Sequence, residues 1–323
     1  MTNRELLDLG VARLREAGIE DAETDARILF EYLTGMDRSA LLVRGDEEAG
    51  AAHRNVTEEC SGTDSLDGNG RDIRESYTGL IEERAGHKPV QYITGTADFM
   101  GLSFIVDENV LIPRFDTEFL VEEMMREVGD GASVLDMCTG SGCILLSLMR
   151  YKNGIRGTGA DISDVALGIA RLNEERLFGR KETDITRTSA GGNPEVPYMY
   201  DKAEWILSDM FENITGTYDF IVCNPPYIKT GVIATLMPEV KDHEPYLALD
   251  GDADGLRFYR IIAEEAPAHL NRHGRLFLEI GFDEAEDVTA LLRESGFTEI
   301  EAVKDYAGNY RVVKCKFTGD QNV

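Results

Sequence analysis

Asn224-Pro225-Pro226-Tyr227 is the segment of this chain best suited to chemistry. It follows Tyr218-Asp219-Phe220-Ile221-Val222-Cys223, an apolar run that reads as a buried strand. Neither proline has an N–H to donate, so the ladder must stop here and the backbone must leave it in a fixed shape. Asn224 Oδ1 and the free carbonyl of Pro225 can each accept a hydrogen bond from a planar –NH₂ group. The Tyr227 ring can pack on the π system attached to that group. The segment therefore suits a cradle for an amide or an exocyclic amino group. An Asn-Pro turn with a packed tyrosine is the plain alternative, and the tetrapeptide alone does not separate the two.

A second constellation is Val134-Leu135-Asp136-Met137-Cys138-Thr139-Gly140-Ser141-Gly142, a strand followed by a turn that opens a helix. Gly140 and Gly142 let a ligand approach the backbone closely. The third glycine of a pyrophosphate-binding GxGxxG is missing, and no Gly-Lys-Ser/Thr follows, which excludes a P-loop. Asp136 would repel phosphate and attract an ammonium group. Asp161 ends the next strand, where a carboxylate can accept both ribose hydroxyls of a nucleoside. Asp209 ends the third strand within reach of an adenine amino group, with Met210 against the ring. Each acid alone reads as a strand-end cap. Three acids at the ends of three consecutive strands, together with the glycine turn, point to S-adenosylmethionine, which carries both an ammonium and a sulfonium.

The elements that must position these residues follow an α/β pattern. From Ser133 onward strands are predicted at 133–137, 156–160, 205–208, 218–223, 275–280, 297–303 and 311–317, with helices at 142–150, 164–178, 255–270 and 283–295. This is a doubly wound sheet, its last two strands forming an antiparallel hairpin. Residues 179–203 read as an insertion-like loop. Upstream, Leu6/Leu7/Val11/Leu14, Ala22/Ala26/Leu29/Phe30/Leu33 and Ile73/Tyr77/Leu80/Ile81 mark three amphipathic helices, the last two stopped by Gly35 and Gly86. Ser61–Arg71 is a polar, Gly-rich loop. Between the helical region and the sheet, Gln91–Ile93, Asp98–Met100 and Ser103–Val106 read as short strands of a β-hairpin connector. The expected division is a helical domain at 1–88, a hairpin linker at 89–112 and an α/β domain at 113–323.

Composition narrows the partners. Sixty acidic against 33 basic residues give a formal charge of −27, which disfavours a polyanion partner held through phosphate contacts. Cys60, Cys138, Cys143, Cys223 and Cys315 form no CxxC pair, and the five histidines contain no HExxH, so no metal is expected. With no signal-like N-terminus and no apolar stretch near ~18 residues, a cytoplasmic protein without membrane contact is expected.

Taken together, the chain resembles the release-factor glutamine methyltransferase family, PrmC (also called HemK), over nearly its full length. The carrying motifs are Pro89–Gly95, Leu111-Ile112-Pro113-Arg114-Phe115-Asp116-Thr117-Glu118, Asp136–Gly142, Ser208–Phe211 and Asn224–Ile228. Glu244-Pro245, Leu278–Gly281 and Lys304–Arg311 complete the set. The resemblance implies a seven-stranded class I, Rossmann-like methyltransferase domain preceded by a small helical domain. It implies methyl transfer from S-adenosylmethionine to the side-chain amide nitrogen of the glutamine in the Gly-Gly-Gln tip of bacterial peptide chain release factors; separately from the resemblance, a monomer is expected. By matching motif, Cys138, Thr139, Gly140, Ser141, Gly142 and Asp161 would hold the cofactor, Met210 would border the adenine, and Asn224, Pro225, Pro226 and Tyr227 would hold the glutamine. Phe115 stands where the family often has proline, Cys138 where it has glycine and Met210 where it has an aromatic residue. The NPPY tetrapeptide is shared with adenine-N6 and cytosine-N4 DNA methyltransferases, and a glutamine methyltransferase acting on a ribosomal protein would share it too. Both activities stay open as alternatives, as does a catalytically silent scaffold.

Overall fold

The computed structural model of the chain describes residues 1–49, 72–179 and 202–319. Two compact units emerge, Met1–Gly95 and Thr96–Val323. Ser61–Arg71, Cys60 and most of the 179–203 segment lie outside the described residues.

The first unit contains helices α1 (Asn3–Glu16), α2 (Ala22–Thr34), α3 (Arg38–Arg44), α4 (Ile73–Ala85) and α5 (Val90–Thr94). A capping box starts α1: Thr2 Oγ1 accepts from the Glu5 amide at 3.2 Å, and Glu5 Oε2 accepts from the Thr2 amide at 2.8 Å. Gly35, at φ +67, ends α2 where its apolar stripe ends. The three stripes meet in one core that includes Leu6, Leu14, Leu29, Phe30, Tyr77 and Ile81. There Phe30 and Tyr77 pack edge to face at 5.5 Å, and the Tyr77 hydroxyl donates to the Ala26 carbonyl at 2.9 Å.

Beside this core Arg84 Nε lies 2.7 Å from Asp25 Oδ2, with both side chains less than a tenth exposed. Removing the cation breaks a buried ion pair from one side, a change that typically costs ~3–5 kcal/mol. Arg84→Met is therefore expected to destabilise the helical unit by about that amount. A urea melt of the full chain, followed by helix signal, measures it.

The structure corrects the expectation for Gln91-Tyr92-Ile93. They lie in α5, not in a strand. Pro89, at φ −54, precedes the first turn, and Gly95, at φ +73, closes it. Burial of Val90 and Tyr92 with Gln91 and Ile93 less buried imitates the two-residue period of a strand, and the helix is too short to reveal its own.

The second unit opens with the antiparallel hairpin β1 (Thr96–Phe99) and β2 (Leu102–Ile105). Its turn residues Met100 and Gly101 both have positive φ, 51° and 70°, the sign that a tight hairpin of right-twisted strands favours. Then follow α6 (Phe115–Met125), β3 (Ser133–Met137), α7 (Cys143–Tyr151), β4 (Arg156–Asp161), α8 (Asp164–Phe178), β5 (Glu204–Leu207) and β6 (Tyr218–Cys223). Two single-turn helices, α9 (Thr230–Ile233) and α10 (Pro238–Lys241), precede α11 (Arg257–His269), β7 (Leu270–Glu279), α12 (Ala285–Glu294), β8 (Thr298–Lys304) and β9 (Tyr310–Lys316).

Among the described residues the sheet has seven strands in the order β5-β4-β3-β6-β7-β9-β8. The five from β5 to β7 are parallel, and β9 runs antiparallel to both β7 and β8. Side chains alternate between two cores as the pleat requires. Leu135, Met137, Ile221, Cys223, Leu276 and Leu278 pack with α11 and α12. Val134, Val222 and Phe277 pack with α6 and α7. A strand buried on both faces has no polar alternation, which is why these segments read as continuous apolar runs.

Candidate active site

Chain order fixes where a site can form. From β3 the chain builds outward through β4 to β5, then returns to place β6 on the other side of β3. Loops leaving β3 and β6 therefore diverge, and a crevice opens at the carboxyl ends of the two strands. Met137 and Cys223 are direct partners in the parallel ladder, so the glycine turn and Asn224 start side by side. A cavity of about 380 Å³ occupies the crevice. That falls within the roughly 300–1,000 Å³ of small-molecule sites.

The turn after β3 is held by its own hydrogen bonds. Cys138, Gly140 and Gly142 all have positive φ, at 57°, 55° and 79°. Cys138 thus occupies a backbone conformation that glycine adopts without steric cost, which is the physical meaning of the glycine expected there. The Thr139 amide donates to the Ala160 carbonyl at 3.0 Å and the Gly140 amide to Asp161 Oδ2 at 2.9 Å. Asp161 Oδ1 accepts from the Ser163 amide at 2.9 Å, so this one carboxylate ties the turn to the start of α8. Burial raises its pKa, and the backbone donors oppose the rise.

Cys138, Thr139, Gly140, Ser141, Asp161, Asp209, Met210, Asn224 and Pro226 all line the cavity. Four other expected residues do not: Asp136, Gly142, Pro225 and Tyr227. Gly142 faces the packing beneath, where a Cβ would come within 3.0 Å of the Trp205 ring. Asp136 is fully buried under the turn, its Oδ2 accepting from Thr139 Oγ1 at 2.6 Å and from the Leu145 amide at 3.3 Å. The sequence expectation of a direct partner for an ammonium group is thereby corrected: Asp136 braces the turn from below.

Burial pushes the Asp136 carboxyl up to about 7. Between the ordinary value of ~3.9 and this one, the folded chain keeps a proton that the unfolded chain has lost. Its contribution to stability is therefore full below the unfolded value and is lost as the pH rises through about 7. Glu279 and Glu284, also raised to about 7 by burial, act in the same direction. Asp136→Asn is expected to flatten this decline, read as a smaller drop in urea midpoint than wild type between about pH 5 and about pH 8.

At the other side of the crevice Asn224 Nδ2 donates to Thr117 Oγ1 at 3.2 Å. The Tyr227 hydroxyl lies 3.4 Å from Glu279 Oε1, and the ring packs against the core shared with α11 and α12. Tyr227 does not line the cavity, and burial raises its pKa.

Part of the wall is built by contacts between residues far apart in sequence. Arg114 pairs with Glu244, a carboxylate whose side chain is only 1% exposed, across 130 residues of sequence. This pair joins two motifs, and Pro113, Arg114 and Pro245 line the cavity together with Leu247, Ala248, Arg257 and Phe258. Arg257 and Phe258, at the start of α11, went unrecognised in the sequence because an Arg-Phe pair at a helix start has many ordinary uses.

S-adenosylmethionine fits this donor set. Asp161 offers carboxylate oxygens at a strand end, Met210, Ile162 and Phe258 offer apolar surface for a flat base, and Gly140 leaves the turn without a side chain. A Cβ at Gly140 would meet nothing within 4 Å, so this glycine serves the backbone conformation and leaves space open above it.

Two family models match the chain: PrmC N-terminal domain over residues 5–60 and Methyltransferase small domain over residues 114–252. The chain is 36% identical over 309 residues to the release factor glutamine methyltransferase of Agrobacterium fabrum, covering 93% of this chain and 92% of that one. It is 35% identical over 313 residues to the enzyme of the same name from Geobacter sulfurreducens, covering 97% and 95%. Among solved structures, it is 29% identical to a release factor-specific protein-(glutamine-N5) methyltransferase from Alicyclobacillus acidocaldarius, covering 66% of this chain and 98% of that one at a TM-score of 0.36. With identity above 30% across more than nine-tenths of both sequences in two relatives, the chain belongs to the release factor glutamine methyltransferase family.

Proposed function

We propose that this protein methylates the side-chain amide nitrogen of a glutamine in bacterial peptide chain release factors, the one in their Gly-Gly-Gln tip, with S-adenosylmethionine as donor. The observation that carries the reading is the position of Asn224, which borders the cavity with its Nδ2 engaged by Thr117. Its Oδ1 is left to accept from an incoming –NH₂; Pro225, whose carbonyl the sequence offered as a second acceptor, does not line the cavity.

S-adenosylmethionine, when bound, supplies an electrophilic methyl group on a sulfonium. The residues 138–141, Asp161, Asp209 and Met210 would hold it. An amide nitrogen is a poor nucleophile because its lone pair is delocalised into the carbonyl. An acceptor on the –NH₂ group, Asn224 Oδ1, would hold that nitrogen in one orientation and stabilise the positive charge that grows on it. Such alignment lowers a barrier by roughly 7–11 kcal/mol in well-oriented cases. Charge stabilisation adds the counterpart of an oxyanion hole, with acceptors where that has donors. No strong base is required, since an alkylated amide cation loses its proton readily. The helical region 1–88 would recognise the protein substrate and residues 89–112 would join it to the catalytic domain 113–323, the enzyme acting as a cytoplasmic monomer.

A ribosomal-protein glutamine is the second reading, because the same cradle would serve it. A nucleobase is disfavoured by the charge of −27, which opposes a polyanion. No helix among the described residues is long and apolar enough to cross a membrane. The test is incubation with labelled S-adenosylmethionine and, separately, purified release factors, ribosomal proteins and duplex DNA, with mass spectrometry to locate the methyl group. A label on a release-factor glutamine is expected. Label only on ribosomal-protein glutamine selects the second reading, and label on a base overturns both.

A further inference from the structure

A carboxamide can present either its oxygen or its nitrogen, and only the oxygen of Asn224 can accept from a substrate –NH₂. Something must therefore choose the end. Nδ2 donates to Thr117 Oγ1 at 3.2 Å, and Thr117 is itself 2% exposed on the first turn of α6. A threonine hydroxyl has one proton to give. If that proton went to Asn224, the carboxamide would have to turn its oxygen towards Thr117 and aim its –NH₂ into the cavity, where it would face another –NH₂.

Glu279 decides where the proton goes. It ends β7 at 1% exposure, and Thr117 is close enough to favour its anion, opposing the rise that burial causes. Its Oε1 meets the Tyr227 hydroxyl at 3.4 Å, while its Oε2 has no hydrogen-bond partner among the described residues. An anionic Glu279 attracts the Thr117 proton and leaves Oγ1 able only to accept from Asn224. We propose that Thr117 and Glu279 are positioning residues that fix which end of the Asn224 carboxamide faces the cavity, Thr117 by accepting from Nδ2 and Glu279 by drawing the Thr117 proton away. This inference deepens the functional reading above and rests on it for its bearing on turnover.

It carries a pH dependence. Burial raises the Glu279 carboxyl to about 7, so both of its forms are populated near neutrality. The other titratable or charged groups facing it are Arg311 on β9, Asp116 on α6, Tyr227 after β6, Tyr259 on α11 and Cys143 on α7. Arg311 lies 3.1 Å from Asp116 and is 12% exposed, so its charge is partly engaged there. Protonated Glu279 can donate to Thr117 and free the Thr117 proton for Asn224, so the productive orientation is lost as the pH falls through about 7.

Two measurements on the full-length protein test the proposal. In the first, the side-chain ¹⁵NH₂ signal of Asn224, assigned by its disappearance in Asn224→Asp, is followed from about pH 5.5 to about pH 8.5. It should move with one midpoint near neutrality in wild type and stay flat in Glu279→Gln. A flat signal in wild type overturns the proposal, whatever the enzyme's activity. In the second, turnover on a purified release factor is compared at saturating S-adenosylmethionine. Thr117→Val should lower kcat by ~10- to ~10²-fold, the range for partners that orient a functional group from behind. Cofactor affinity should stay within about 2-fold, and Thr117→Ser should restore most of the loss. Glu279→Gln should lose the acid limb of the wild-type profile, which serves as the test if Thr117→Val does not fold. Unchanged kcat in Thr117→Val, or equal losses in Val and Ser, overturns the proposal. Wild type silent on every release factor would overturn the functional reading alone, and the resonance titration would still decide this one.

Discussion

Asn224→Ala is expected to lower kcat by ~10²-fold or more while leaving the affinity for S-adenosylmethionine within a few-fold. The asymmetry follows from placement. Asn224 follows β6 directly, and its Nδ2 is occupied by Thr117, so its Oδ1 is the end free for the proposed acceptance from the substrate amide. Removing one contact that stabilises developing charge costs ~10²–10³ in turnover where it has been measured. In the proposed reading the cofactor is held by the turn after β3 and by Asp161, which are tied together by hydrogen bonds that the substitution does not touch. Single-turnover kinetics with cofactor-loaded protein separate chemistry from binding. Near-normal turnover would remove the cradle from the mechanism.

The converse result is expected for Asp161→Ala, where cofactor affinity should fall by ~10²-fold and kcat at saturating cofactor should fall far less. Its carboxylate accepts from the Gly140 amide and the Ser163 amide, each at 2.9 Å, and from the cavity wall it would accept from the ribose hydroxyls in the proposed reading. Hydrogen bonds to a charged group contribute ~1.5–3 kcal/mol each, and every ~1.4 kcal/mol is tenfold in affinity. Calorimetric titration of the cofactor into both proteins measures the difference. Unchanged affinity would leave Asp161 as a brace of the turn alone.

The sequence made the sheet legible because its central strands are buried on both faces. Ser133–Met137 and Tyr218–Cys223 appear at the predicted residues, and so does helix Asp164–Phe178. Local signals failed where a short element imitates another period. Gln91–Ile93 alternates in burial yet forms one helical turn, and β7 begins at Leu270, five residues before its apolar run declares itself. At the site, residues adjacent in sequence to a glycine turn or a strand end were readable, and nine of them line one cavity: Cys138, Thr139, Gly140, Ser141, Asp161, Asp209, Met210, Asn224 and Pro226. Depth was not readable. Asp136 and Tyr227 have the right chemistry and neighbourhood but sit beneath or behind the wall, because a two-residue alternation fixes a side and not a distance from solvent. Long-range pairs were the least legible. Thr117 meets Asn224 across 107 residues and Arg114 meets Glu244 across 130, contacts that only the folded sheet brings about.

The direct pairing of Met137 with Cys223 starts the glycine turn and the Asn224 segment on neighbouring strands, so in the proposed reaction the sheet itself would hold the two sites in register. Neighbouring strands lie ~4.8 Å apart. Evolution can then rewrite the groups beyond the second strand to suit a carboxamide or an aminopyrimidine, both planar amines conjugated to an sp² carbon, without retuning the grip on the donor.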